Sequence, residues 1–148
     1  MNTNQVMSAV RYTLALEADQ WEMMRGHVED HAPLEACGLL GGRISGDHYH
    51  VKAVLPTRNQ LASPVRFQID PRDQIEAFNH YEKQGLELVA IYHSHPRGPQ
   101  HPSPADIAQA YYPGTVQLIW FIEDGSWNCR GYLITDQAYS EVEINIKS

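Results

Sequence analysis

The sequence predicts a mixed α/β fold, one domain over residues 1–148 built on a single, largely buried β-sheet flanked by about three helices. Three observations carry this expectation. Segments with apolar residues at helical spacing interleave with short alternating segments along the chain. The run LELVAIYH (86–93) is apolar almost throughout, as a central strand covered on both faces requires. No repeat, low-complexity tract or linker interrupts the 148 residues, which suffice to bury a core without a disulfide or a structural metal.

The elements follow in order. Residues 1–10 read as a loose start and RYTLALE (11–17) as a first strand. Trp21, Met24, Val28 and Ala32 recur at helical spacing over 18–32, and Pro33 ends that helix. LEACGLLGG (34–42) reads as a buried strand, and Ser45-Gly46-Asp47 turns it into HYHVKAVL (48–55), completing a hairpin. After a loop from Pro56 to Pro64, VRFQI (65–69) reads as a short strand. Asp70-Pro71 with Asp73 then opens a helix that Gly85 closes. Beyond the strand 86–93, Ser103-Pro104 starts a short helix stopped by Pro113-Gly114. VQLIWFI, Asp124-Gly125 and WNCRGYLIT form strand, turn and strand, and SEVEINI (140–146) is a last strand.

Composition excludes several function classes. With 11 Lys+Arg against 18 Asp+Glu, the formal charge is -7 and no basic cluster could track a phosphate backbone, so no nucleic-acid partner is expected. No apolar run approaches the roughly 20 residues of a bilayer span, so no membrane association is expected. Cys37 and Cys129 stand far apart, and no charged-then-apolar leader is seen, which predicts reduced thiols and a cytoplasmic location. Trp21, Trp120 and Trp127 suit a core; a homodimer that uses some of these aromatics stays open.

The chemistry concentrates in IYHSHPRGPQHPSPADI (91–107). His93 and His95 are two apart at the end of a strand, so both project to one side, and Asp106 follows from the first turn of the next helix. Two imidazoles and a carboxylate suit zinc, whose catalytic sites keep three protein ligands and one open position. Each piece alone also has a plain explanation. His48-Tyr49-His50 repeats the spacing on the polar face of a hairpin, and Ser103-Pro104-Ala105-Asp106 is a helix cap, an N1 proline and an N3 acid. Glu35 alone reads as a strand-edge acid, Cys37 as core and His101 as surface. Gly38, Gly41 and Gly42 read as sites of close packing, because no phosphate-binding glycine pattern is present. Four positions held at fixed spacing are nevertheless too many for accident.

The spacing His93-Ser94-His95-Pro96, Ser103, Asp106 resembles the JAMM motif of the MPN family of zinc metallopeptidases, and EACGLLGG resembles the family's upstream glutamate segment. The resemblance runs from about Tyr12 to the last strands. It implies a deaminase-like α/β sandwich and a bound Zn2+ with His93, His95 and Asp106 as metal ligands. It further implies Glu35 as the catalytic acid/base and Ser103 as the hydroxyl that steadies an oxyanion. Family substrates are peptide or isopeptide bonds after the C-terminal glycines of ubiquitin-like proteins. Pro113-Gly114 leads almost directly into the next strand, which leaves no room for the large insertions of eukaryotic deubiquitinases. The compact form resembles prokaryotic members, which act on ubiquitin-like or sulfur-carrier proteins. Two other classes compete: an MPN-type interaction scaffold, opposed by retention of all five residues although a partner-dependent peptidase inactive alone would keep them too, and a zinc nucleoside deaminase, opposed by the missing Pro-Cys-x-x-Cys segment.

Overall fold

Leu14 and Leu16 are buried while their neighbours are less so, and this period-two pattern makes Thr13–Glu17 the first strand, β1, of the computed structural model, which describes residues 11–110 and 112–148. The start expected over residues 1–10 lies outside the described residues. β1 runs directly into helix α1 (Ala18–His31), where Glu17 and Gln20 form a reciprocal capping box and Met24 and Val28 supply the buried face. Strands β2 (Cys37–Ser45) and β3 (His48–Thr57) form the expected hairpin, with Gly46 at φ 62° in its turn. Helix α2 (Pro71–Lys83) begins as its sequence predicts: the Asp70 side chain accepts a hydrogen bond from Arg72 N–H at 2.8 Å, with Pro71 in the first position. β4 (Glu87–Ser94), α3 (Pro104–Ala108), β5 (Val116–Glu123), β6 (Ser126–Thr135) and β7 (Ala138–Lys147) complete the chain.

Two expected elements are corrected. VRFQI is not a strand: its backbone forms only an isolated bridge between Asn59 and Ile69, and Val65 and Arg66 face solvent. Five residues of suitable composition become a strand only where a neighbouring edge is free to pair with them. β2 begins at Cys37 rather than Leu34, because the Glu35 N–H is taken by Ser63 O at 2.8 Å instead of a strand partner.

The sheet order is β1-β3-β2-β4-β5-β6-β7, and β7 pairs in parallel with β1, so the sheet closes into a barrel. This corrects the expectation of a flanked sandwich, although the mixed α/β composition stands. β4 pairs antiparallel with β2 and parallel with β5, which puts Cys37 opposite His93 and Ile119 beside it. Alternation along these strands divides the core. Leu40, Tyr92 and Trp120 pack with Met24 and Val28 of α1, whereas Leu39 and Ile91 pack with Ala77 and Tyr81 of α2. Trp120 is fully buried and Trp127 nearly so, both in the α1 cluster, and Trp21 packs against it.

The glycines of β2 serve close approach. A Cβ on Gly38 would lie 2.2 Å from the Tyr92 ring, and one on Gly42 would lie 1.8 Å from the His50 carbonyl oxygen. Among the described residues, no helix is long and apolar enough to cross a membrane.

Candidate metal centre

His93 is the penultimate residue of β4, and the ladder continues one residue past the strand through His95 N–H donating to Trp120 O at 2.7 Å. Extended backbone thus sends both imidazoles to the α2 side of the sheet. Asp106 comes from the first turn of α3. There Ser103 and Asp106 make the capping box that their spacing predicts: Asp106 N–H donates to Ser103 Oγ at 3.1 Å, and Ser103 N–H donates to Asp106 Oδ2 at 2.9 Å.

Three atoms converge. His93 Nε2 lies 3.1 Å from His95 Nε2, and Asp106 Oδ2 lies 3.2 Å and 3.1 Å from them. His95 Nδ1 is 2.7 Å from Pro99 O, and only a protonated Nδ1 can donate to that carbonyl, which leaves the Nε2 lone pair facing the other two atoms. With Nδ1 carrying the proton on both rings, two imidazole nitrogens and a carboxylate oxygen would point lone pairs into one small space. Ligands held about 2.0–2.1 Å from a tetrahedral zinc lie roughly 3.3 Å apart, so these residues fit such an ion in type, number and spacing.

Glu35 completes the group. It offers a carboxylate oxygen within 4.8 Å of the histidine nitrogens, is 3% exposed, and its Oε1 has no hydrogen-bond partner among the described residues. Burial pushes its carboxyl up to about 8, the His95 side chain opposes this, and Asp106 adds to it. The cluster polarises the other groups. Burial holds His93 below the ordinary histidine value despite Asp106. His95 is pulled down by burial but raised overall by hydrogen bonds to Asp106 and Pro99 O and by the charges of Asp106 and Glu35. Asp106 is raised by burial yet ends well below the carboxylate range, because the charge of His93 and hydrogen bonds from His93, His95 and the Ser103 N–H outweigh that.

All five residues expected from the sequence therefore gather at one place. Those expected to stay outside do so. His48 is exposed at the far end of the hairpin, with Nδ1 2.6 Å from Thr13 Oγ1, and His101 is exposed beside Tyr139. Cys37 is buried and hydrogen-bonded to Thr57, and burial lifts its thiol to about 11, far from a nucleophile's range.

Two neighbours were not anticipated. Phe67 stacks on the His93 ring with centroids 4.3 Å apart and planes at 20°. Asn59 donates from Nδ2 to Glu35 O at 3.0 Å. Nothing in the local pattern marks either residue, since one reads as a strand aromatic and the other as a loop amide. Beside the cluster, a cleft of about 410 Å³ is lined by Phe67, Ile91, Asp106, Gln109, Tyr112 and Gln117 among others.

The chain is similar to several known proteins. The family described as prokaryotic homologs of the JAB domain matches residues 17–139. A "Probable TtuB-protein conjugate cleaving protease" of Thermus thermophilus is 40% identical over 116 residues, 78% of this chain and 72% of that protein. A "Desampylase" of Haloferax volcanii is 35% identical over 111 residues, 72% of this chain and 78% of that protein. The solution structure of protein DSY2949 from Desulfitobacterium hafniense is similar at a TM-score of 0.83 and 38% identity, covering 91% of this chain and 93% of that one.

Proposed function

Because the chain belongs to the prokaryotic homologs of the JAB domain, we propose that it is a zinc metallopeptidase that hydrolyses a peptide or isopeptide bond after the C-terminal glycines of a ubiquitin-like or sulfur-carrier protein. The observation that carries this reading is the approach of His93 Nε2, His95 Nε2 and Asp106 Oδ2 to within 3.1–3.2 Å of one another beside the orphaned, buried Oε1 of Glu35. The relative named for cleaving TtuB-protein conjugates supports a protein conjugate as the substrate class. The free, buried cysteines are in keeping with work in the reducing cytoplasm.

His93, His95 and Asp106 would hold the ion, and zinc held there would supply Lewis acidity toward the scissile carbonyl and the attacking water. Glu35 Oε1, buried and without a hydrogen-bond partner among the described residues, is placed to take a proton from the attacking water and return it to the leaving amine. Ser103 Oγ accepts from Asp106 N–H and so keeps its own proton to donate toward the developing oxyanion. Burial of Glu35, His93 and His95 excludes competing water and strengthens each of these interactions.

The test is zinc content together with cleavage of a ubiquitin-like or sulfur-carrier fusion bearing a short extension after Gly-Gly, with and without chelator, beside Glu35→Gln. About one zinc per chain is expected, with cleavage abolished both by the chelator and by Glu35→Gln, the variant retaining its zinc. Full activity in Glu35→Gln would remove Glu35 from the mechanism, and a preparation that takes up no zinc would remove the metal.

A further inference from the structure

Glu35 lies outside the strand ladder, so its placement has to come from elsewhere, and both of its backbone polar groups are held by the segment 58–70. The Glu35 N–H donates to Ser63 O at 2.8 Å, and Glu35 O accepts from Asn59 Nδ2 at 3.0 Å. The same Asn59 side chain organises that segment. Nδ2 also donates to Arg66 O at 3.0 Å, and Oδ1 accepts from Leu61 N–H at 3.1 Å and Gln68 N–H at 3.0 Å. A side-chain amide has two donors and two acceptor sites, and all four are used. The neck of the loop is closed by Gln60 N–H to Gln68 O at 2.8 Å and Asp70 N–H to Arg58 O at 3.0 Å.

The loop also reaches the metal side of the cluster. Its Phe67 stacks on His93, whose Nδ1 is buried without a partner among the described residues. A ligand histidine is ordinarily oriented by a hydrogen bond from its second nitrogen. Here the ring plane is set by stacking, and the aromatic that sets it rides on the loop that Asn59 closes.

We propose that Asn59 is a positioning residue for the hydrolytic reaction: through one amide it fixes the backbone of Glu35 and holds Phe67 against His93, and so sets the distance between the proton-handling group and the metal ligands. This rests on the reading of Glu35 given above. Asn59 touches neither ion nor substrate; it acts through Glu35 and Phe67. A loop staple without that role would still use the bonds to Leu61, Arg66 and Gln68, but the bond to Glu35 O would be incidental.

Asn59→Asp separates the two. It keeps the shape and both accepting contacts, but turns an oxygen toward the carbonyls of Glu35 and Arg66, where acceptor meets acceptor. Asn59→Ala removes all four bonds. Hydrogen exchange of the Glu35 amide is measured by NMR in the metal-free full chain of wild type and both variants, with Leu40 in β2 and Ala90 in β4 as reporters of the barrel. Zinc per chain, kcat and KM are measured on the loaded proteins with the Gly-Gly fusion.

In Asn59→Asp the Glu35 amide is expected to exchange at least about tenfold faster while Leu40 and Ala90 are unchanged. Kcat is expected to fall about 10–100-fold, with KM within about threefold and zinc content unchanged, the scale seen when a supporting partner of a metal site is lost. Wild-type protection at Glu35, unchanged kcat, or a loss of kcat matched by equal loss of protection at Leu40 and Ala90 would overturn the proposal. Should Asn59→Ala fail to fold, Asn59→Asp carries the test. If wild type itself cleaves nothing, the functional reading fails, and the metal-free exchange of Glu35 still decides whether Asn59 holds it.

Discussion

The Ser103 hydroxyl accepts from Asp106 N–H as a helix cap and keeps a proton to donate, and two substitutions separate these uses. Ser103→Ala is expected to lower stability by about 1 kcal/mol through the lost cap and kcat by about 10²-fold through the lost donor. Ser103→Thr keeps both groups and is expected to stay within about threefold of wild type. Thermal unfolding and steady-state kinetics read the two effects; lower stability in Ser103→Ala at unchanged kcat would leave the serine a cap alone. At this scale the sequence is most readable where residues lie close together. His93, His95, Ser103 and Asp106 occupy one short stretch, and strand and helix geometry converts their spacing into direction. Glu35 stood out only through the resemblance, because a lone acid near a strand end has an ordinary explanation. Asn59 and Phe67 carry no sequence signal, since their contacts with Glu35 and His93 are made by the docking of a loop.

Among the elements, α1 meets the barrel through a polar contact set in an apolar interface. His27 Nδ1 lies 2.6 Å from the Tyr92 hydroxyl, and Tyr92 is fully buried. Burial, with His31 nearby, pushes His27 down to about 4 from an ordinary 6.5. Between those values the unfolded chain binds a proton that the folded chain refuses, so stability falls as pH drops from about 6.5 toward 4. The displacement alone corresponds to about 3 kcal/mol, and solvent around the exposed part of the ring cuts this to roughly half. Urea unfolding at pH 7 and pH 4.5 measures it: wild type is expected to lose more stability across this interval than His27→Gln, and equal losses would remove His27 as the cause. Helices were readable as elements because caps and breakers mark them locally, as Asp70-Pro71 and Gly85 do for α2. VRFQI failed because a strand is a property of two segments, and the segment 65–69 has no edge beside it.

For the whole molecule, closure of the barrel through β1 and β7 joins strands from opposite ends of the sequence, and no local pattern announces such a pairing. The apolar run of β4 marks a buried strand equally well in an open sheet or a ring. The distribution of the site over the chain has a further consequence in the order of assembly. The three converging atoms come from residues 93–106, and a loop that short costs little entropy to close. Glu35, by contrast, depends for its place on the pairing of β2 with β4 and on contacts from the segment 58–70. A peptide spanning residues 91–108 is therefore expected to bind zinc in a calorimetric titration, weakly and without activity; no binding at millimolar zinc would mean that the finished barrel is required. An ion that also binds the unfinished chain stabilises the finished one by less than its affinity suggests. On the proposed reading, a chain whose residues 93–106 had already captured an ion would still lack a placed Glu35 and so would not yet hydrolyse.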